Sequence, residues 1–292
     1  MNVVYWADNV SLNTGTIDEM TGCTDMMIAT LKFLAPSDEK PVYYASVGGE
    51  EAALDLEGQF NVVDVEIEDA RPRRDDCSLD GEGFQLVDHP SAVTDFYDHE
   101  QIKSIYEDEV KALVAKATGA RRVVVFDHTH RADSQEKRGQ LEVREPSAVV
   151  HNDYTDKSAR QRIIDILPAD EAEGLLGRRF AIVNVWRAIS HPAVTSQLAL
   201  SDASTLKPGD AVPTERRAKD RIGELMMATY NPDSRWAYFS DMQPGEALLL
   251  KAYDTATDGR ARFSLHTAFD HPNPPAGAKP RESLETRTFA FF

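Results

Sequence analysis

The sequence predicts a mainly β protein with flanking helices (α+β), built on a distorted jelly roll, also called a double-stranded β-helix. The first observation is that apolar, strand-like runs dominate after residue 178, separated by turn clusters such as Asn231-Pro232-Asp233. The second is that two stretches upstream, at 97–118 and 155–167, have the spacing of amphipathic helices. Many short strands with two or three helices outside them are typical of this fold.

The first third of the chain, residues 1 to about 95, has the weakest pattern. Segments 42–46 and 60–65 have the composition of strands, and the apolar residues within 22–34 suggest a helix. The acidic segment 66–76 predicts a solvated loop. We expect this third to supply strands and loops that cover the core.

The middle of the chain contains the helical signal. Six apolar residues repeat mostly at spacings of three and four: Ile102, Ile105, Tyr106, Val110, Leu113 and Val114. Gly119 stands where a C-terminal cap belongs, and a strand is expected at 121–127. Thr155 is a candidate N-cap for the second helix, and Pro168 follows its end.

The last part of the chain is predicted to be strands. They are expected at 180–186, 236–240, 247–253, 261–269 and 283–291. We therefore expect one domain over residues 1–292, with the jelly-roll core at about 120–292.

Composition narrows the class of function. The net charge of −17 argues against nucleic-acid and anionic-membrane partners, and it means that an anionic ligand needs local arginines. Cys23 and Cys77 are too few for a disulfide scaffold, and no apolar run reaches membrane-spanning length. We expect a cytoplasmic protein, and the oligomeric state stays open.

One set of residues has the composition of a metal centre. His151 and Asp153 stand two apart at the end of an apolar run, and His266 lies on a later strand. Two imidazoles and one carboxylate suit non-haem Fe(II) and leave positions open for O2 and an organic chelator. Arg281, which shares a strand face with Ser283, could pair with the far carboxylate of a 2-oxo acid.

Other histidines are alternatives. His128 and His130 form a His-x-His pair that could bind metal, although a strand end entering a polar loop explains them as well. The remaining histidines have weaker contexts: His89, His99, His191 and His271.

Six segments resemble the AsaB-like (CmcJ-like) hydroxylase/desaturase family. They are 151–155 (His-Asn-Asp-Tyr-Thr), 184–187 (Asn-Val-Trp-Arg), 198–202 (Leu-Ala-Leu-Ser-Asp), 236–239 (Trp-Ala-Tyr-Phe), 263–269 (Phe-Ser-Leu-His-Thr-Ala-Phe) and 281–287 (Arg-Glu-Ser-Leu-Glu-Thr-Arg). The similarity runs from about Val123 to the C-terminus. It implies an Fe(II)- and 2-oxoglutarate-dependent oxygenase of secondary metabolism on a jelly-roll core.

The resemblance also implies roles for individual residues. The iron ligands would be His151, Asp153 and His266, and Arg281 with Ser283 would hold the distal carboxylate of 2-oxoglutarate. The gap between His266 and Arg281 is longer than in many such oxygenases, which leaves Arg287 as a rival for the same carboxylate. Near the substrate we expect Asn184, Trp186 and Arg187, with Arg187 either paired with an acid or holding a substrate carboxylate.

The resulting functional hypothesis is an oxygenase that uses O2 on a small molecule, such as an amino acid or another carboxylic acid. Hydroxylation, desaturation and oxidative ring closure are all open outcomes. The alternatives are a cupin-type metal-dependent hydrolase or isomerase, and a jelly-roll protein that binds a ligand without turnover.

Overall fold

The computed structural model describes residues 25–46, 48–49, 55–57, 59–218 and 221–292. Its strands are β1 (Met26–Leu34), β2 (Val42–Tyr44), β3 (Asp55–Glu57), β4 (Phe60–Asp69), β5 (Phe84–Asp88), β6 (Arg122–Ala132), β7 (His151–Asn152), β8 (Phe180–Ala188), β9 (Ser196–Ser201), β10 (Ala211–Ala218), β11 (Arg221–Ala228), β12 (Trp236–Tyr238), β13 (Glu246–Asp254), β14 (His266–Asp270) and β15 (Glu282–Phe291). They form two sheets, which confirms the predicted jelly-roll core.

The larger sheet has the strand order β1-β4-β12-β9-β14-β7-β11-β10-β2-β3, and the smaller has β5-β13-β8-β15-β6. Strands from the first third of the chain thus belong to the same sheet as the C-terminal strands. The helices are α1 (His99–Gln101), a π-helical turn (Ile102–Tyr106), α2 (Glu107–Thr118), α3 (Gln135–Leu141), α4 (Asp156–Ile166) and α5 (Ala169–Leu176), with 3₁₀ turns at Arg71–Asp76 and Ala203–Thr205.

Both faces of the smaller sheet are buried. Val183 and Val185 of β8 point outward and pack with the helical residues Tyr106 and Val110. Trp186, on the opposite face of β8, packs toward the larger sheet against a set made up of Leu200, Ala237, Phe239, Leu248 and Leu250. Because side chains alternate along a strand, the even-numbered residues of β8 face the space between the sheets.

The two predicted helices are confirmed. Gly119 ends α2 in the left-handed conformation, with φ of 72°. Thr155 caps α4, and its side chain and that of Ser158 form a reciprocal capping box. Since α4 begins three residues after Asp153, this cap also determines how the chain leaves the metal-ligand region.

Three sequence predictions are wrong. The segment predicted as a helix at 22–34 contains β1, in which buried Ala29, Leu31 and Phe33 alternate with more exposed residues; residues 22–24 lie outside the described ranges. The acidic segment at 66–76 begins as the end of β4, with Ile67 buried. The strand expected from 261 begins only at His266.

Candidate metal centre

Three strands bring the predicted ligands together. His151 of β7 pairs in register with His266 of β14 on one side and with Met227 of β11 on the other. Directly paired residues project to the same face, so the two imidazoles converge, and their ring centroids lie 4.5 Å apart. Asp153 follows β7, and one ligand atom from each of the three residues lies within 4.8 Å of the others.

The hydrogen bonds around these side chains leave each of them an atom that can bind a metal. His151 Nδ1 lies 2.8 Å from the carbonyl of Val149, which can only accept, so Nε2 is unprotonated in the neutral ring. Asp153 Oδ2 accepts from Asn184 Nδ2 at 2.7 Å and from Arg287 Nε at 3.0 Å, while Oδ1 lies 3.8 Å from His151 Nε2. His266 Nδ1 is buried and has no hydrogen-bond partner among the described residues. This donor set fits a divalent iron bound by two histidines and one carboxylate.

The electrostatics of the three residues also suit a metal. Burial and the neighbouring His266 together lower the pKa of His151 to about 4, with burial the larger cause. Burial likewise lowers the pKa of His266. Burial acts to raise the pKa of Asp153, but the charge of Arg287 outweighs it, and the pKa lies well below its usual range. Two neutral imidazoles and an ionised carboxylate are the protonation states that bind a cation.

Arg287 lies among acceptors. Besides Asp153 it contacts Asp127 Oδ2 at 2.7 Å, Thr129 Oγ1 at 2.8 Å and the carboxylate of Glu285. Three carboxylates surround the guanidinium of Arg287, an arrangement that favours Arg281 over Arg287 for the co-substrate. Asn184, expected near the substrate, instead holds Asp153.

Arg281 has the opposite environment. It is buried, donates from Nη1 to the carbonyl of Ser196 at 2.6 Å and lies over the Trp186 ring at 5.5 Å, but its Nε has no partner among the described residues. Ser283 Oγ, on the same strand face, is buried and also lacks one within those ranges. Burial, and after it the charge of Arg131, lowers the pKa of Arg281 to about 10. A buried guanidinium and a buried hydroxyl with unpaired hydrogen-bonding groups are suited to an anionic ligand.

The structure places Arg187 away from the metal-ligand group, an arrangement that favours the structural alternative over a substrate role. It lies on the outer face of β8, opposite to Asn184 and Trp186. Its Nη2 donates to the carbonyl of His89 at 2.9 Å, and its guanidinium lies over the rings of Phe96 and Tyr106 at 5.3 and 5.0 Å. The alternation of side chains along β8 already predicts this placement, because Arg187 is three positions after Asn184 and therefore projects to the opposite face.

The alternative histidines have other contacts. His128 Nδ1 lies 2.8 Å from Thr286 Oγ1, and His130 Nε2 lies 2.7 Å from the carbonyl of Phe96. His191 Nδ1 lies 3.0 Å from the carbonyl of Pro192, and His271 Nδ1 accepts from the backbone of Asn273. Within the described ranges they do not join a metal-binding group.

A cavity of about 980 Å³ opens beside the metal-ligand group. His151, Asp153 and Arg287 line it, whereas His266, Arg281 and Ser283 do not. Its walls come from β6, the segment 141–147, β10, β11 and α4. Sequence reasoning missed the arginines in these walls, which are described below, and also missed Glu285, whose pKa is raised by burial.

Comparisons with known proteins agree with this geometry. A family model described as "Oxidoreductase/YMDC permease-like domain" matches residues 31–291. The chain is 32% identical to the hydroxylase/desaturase CTB9 of Cercospora beticola, over 80% of this chain and 78% of that protein. It is also 32% identical to the Fe(II)/2-oxoglutarate-dependent dioxygenase nvfI of Aspergillus novofumigatus, over 78% and 82%.

A solved structure shows the same likeness in three dimensions. The structure of the iron and alpha-ketoglutarate-dependent endoperoxidase NvfI superposes with a TM-score of 0.80 at 28% identity, covering 91% of this chain and 98% of that one. Separately, none of the helices in the described part of the chain has the length and apolar character needed to cross a bilayer.

Proposed function

The chain belongs to the AsaB-like hydroxylase/desaturase family of Fe(II)- and 2-oxoglutarate-dependent dioxygenases, and from this we propose that it oxidises a small molecule of secondary metabolism at His151, Asp153 and His266. The observation that carries the proposal is that the two carboxylate oxygens of Asp153 have different partners. Oδ2 accepts hydrogen bonds from Arg287 and Asn184, and Asp153 also lies close to ligand nitrogens of both histidines.

Each residue then has a defined task. The two histidines and Asp153 hold the iron, while Asn184 and Arg287 keep the carboxylate in a one-oxygen binding orientation. Iron(II) with 2-oxoglutarate supplies, when bound, the activation of O2 for attack on a substrate C–H bond. The surrounding protein positions the substrate and keeps water away from the centre.

The co-substrate carboxylate has a matching site in Arg281 and Ser283. Their unpartnered Nε and Oγ would each donate to one carboxylate, and the Trp186 ring would wall the site. This pairing would satisfy two buried polar groups that otherwise cost free energy.

The alternatives named above lack support. A cupin-type hydrolase gives no use for the buried Arg281 and Ser283, and the relatives are named as oxygenases. Those names include hydroxylase/desaturase and endoperoxidase, so the outcome differs among relatives. In this chain hydroxylation, desaturation and ring closure depend on which substrate carbon the cavity presents.

The proposal is tested with purified protein, Fe(II) and 2-oxoglutarate. Without oxygen we expect the visible charge-transfer band of an Fe(II)–2-oxoglutarate complex, and with oxygen and ascorbate we expect succinate. Asp153→Ala should abolish both, and the control Asp165→Ala, which loses an exposed ion pair with Arg221, should keep both. A band of full strength in Asp153→Ala would refute the ligand set.

A further inference from the structure

The cavity beside the metal-ligand group has an excess of positive charge. Arg144 and Arg216 line it, and neither side chain has a hydrogen bond or ion pair within the described ranges. Arg131, also in the wall, donates only to the carbonyl of Glu145, at 2.7 Å. These three arginines therefore lack a carboxylate partner among the described residues, in a protein of net charge −17.

Most acidic side chains of the same wall are already neutralised. The pairs are Asp127 and Asp153 with Arg287, Asp165 with Arg221, Glu215 with Arg217, and Glu224 with Lys40 and Lys157. The local surplus of cations is thus available to a ligand.

Strand register places Arg216 on the face that carries the metal ligands. Arg216 of β10 pairs with Gly223 of β11, and four residues further along β11 Met227 pairs with His151. Residues an even number apart share a face, so Arg216 and His151 project into the same space. At about 3.4 Å per residue, the backbone positions of the two pairings lie roughly 14 Å apart along the strand.

The opposite wall supplies Arg144. The backbone of Arg144 forms an isolated β-bridge with that of Arg131, and Arg131 pairs in register with Ser283 of β15. The three side chains therefore project from one side of the smaller sheet. Arg144 is close enough to Arg216 to act on it: burial lowers the pKa of Arg216, and the charges of Arg144 and Arg221 lower it further. Two arginines from opposite walls therefore line the same cavity.

There is room for a ligand at that point. Gly223, the residue opposite Arg216, has no side chain, and a Cβ built there would meet no atom within 4 Å. An arginine facing an open position can present the edge of its guanidinium to a planar, two-oxygen acceptor.

We propose that Arg144 and Arg216 bind a carboxylate of the substrate and hold it remote from the metal ligands. This inference rests on the proposed oxygenase function and specifies its substrate class. The substrate is an elongated carboxylic acid whose oxidised carbon lies several bonds from its carboxylate. We therefore favour an elongated acid over a free α-amino acid, because the pairing of Arg216 lies four residues along β11 from that of His151.

The test uses ω-phenylalkanoic acids of increasing chain length and their neutral amides as probes. Each is titrated calorimetrically into anaerobic protein loaded with Fe(II) and saturating 2-oxoglutarate, so that the co-substrate site is filled. Wild type should bind the longer acids at least about tenfold more tightly than their amides, the gain typical of a charge-assisted pair.

Arg144→Gln and Arg216→Gln should each remove most of this preference and leave amide affinity unchanged. Arg216→Lys should retain part of it, since an ammonium lacks the fork. The matched control is Arg235→Gln, which removes an arginine outside the cavity that pairs with Asp202 and should keep the full preference.

The possible outcomes separate this inference from the function on which it rests. Equal affinity of acids and amides in wild type would overturn the inference, as would an unchanged preference in the Arg144→Gln/Arg216→Gln double variant. The charge-transfer band is recorded in every sample. A wild-type protein without that band would refute the proposed function and this inference together.

Discussion

Asp153 is the residue on which the candidate site depends most, because its two oxygens have different surroundings. Asn184 and Arg287 both donate hydrogen bonds to Oδ2, and neither of them donates to Oδ1. The three carboxylates around Arg287 keep its guanidinium in place, so the orientation of Asp153 is determined before any metal binds. A carboxylate that is already oriented loses less conformational entropy on binding the metal than a freely rotating one.

For Arg287→Gln we therefore expect weaker iron binding rather than weaker 2-oxoglutarate binding. Loss of a hydrogen-bonded neighbour of a metal ligand typically costs about 10- to 100-fold in metal affinity. Iron affinity is measured by competition with a chelator, and Arg235→Gln, which removes an exposed ion pair with Asp202, is the control. Unchanged iron affinity with impaired 2-oxoglutarate binding would return the co-substrate role to Arg287.

Arg281→Ala should give the complementary result. One charge-assisted pair is lost, so 2-oxoglutarate binding should weaken by roughly 1.5–3 kcal/mol while iron affinity stays the same. Titration of the charge-transfer band with 2-oxoglutarate measures the first quantity, and competition with a chelator measures the iron affinity. If Arg281→Ala binds 2-oxoglutarate as wild type does, the co-substrate carboxylate lies elsewhere, and Arg131 is the next arginine to change.

Arg187 is expected to act on stability instead of on substrate. It is fully buried, bonds to His89 and lies over two aromatic rings. Arg187→Met should lower the free energy of unfolding by about 2–3 kcal/mol, since a charge-supported hydrogen bond is lost and the carbonyl of His89 is left without its donor. Urea unfolding measures this loss of free energy, and the folded variant should retain normal 2-oxoglutarate affinity. A raised substrate KM without any loss of stability would contradict this assignment.

At the scale of elements, periodicity predicts the two amphipathic helices but not every half-buried strand. α2 and α4 were predicted because their apolar stripes and caps are local signals. β1 was mistaken for a helix because a short run containing Met26, Met27, Ala29, Leu31 and Phe33 fits either period. β10 and β11 were missed because their cavity-facing residues include Arg216, Gly223 and Glu224, which break the alternation of a half-buried strand.

The capping box of α4 allows a direct test at this scale. Thr155 Oγ1 accepts from the backbone N–H of Ser158 at 3.0 Å. Thr155→Ala should lower the free energy of unfolding by about 1 kcal/mol, whereas Thr155→Ser should retain most of it, because serine can make the same bond. Chemical denaturation compares the three proteins. Equal losses in both variants would show that the methyl group, not the hydroxyl, carries the effect.

At the scale of the whole molecule, the site could be predicted in part. The metal ligands and Arg281 are predicted from residue type and order along the chain, and the pairing of β7 with β14 and β11 then brings the three ligands together. Arg131, Arg144 and Arg216 have no motif, and only the packing of two sheets makes them neighbours. The partners of Arg287 were equally hidden, because a buried ion pair between distant strands leaves no mark in local sequence.

The buried histidines predict how the stability of the whole molecule depends on pH. Burial lowers the pKa of both His128 and His130, which lie between the helices and the smaller sheet. Below the unfolded value of about 6.5 the unfolded chain takes up protons that the folded chain does not, so stability rises with pH in that window and falls on acidification. Each histidine contributes a slope of at most about 1.4 kcal/mol per pH unit, down to its folded pKa.

Metal-free protein should therefore lose unfolding free energy between pH 7 and pH 5.5, and urea unfolding in EDTA at several pH values measures the loss. The carboxylates with lowered pKa, such as Asp202 and Glu246, act in the same direction but at more acidic pH. Glu285, whose pKa is raised, acts in the opposite direction, because the folded chain then binds the additional proton. Replacing both His128 and His130 by Gln should reduce the slope above pH 5.5, where the carboxylates contribute little, while His89, His151 and His266, whose pKa values are also lowered, maintain the rest of it. A slope identical to that of wild type would place the responsible groups elsewhere in the molecule.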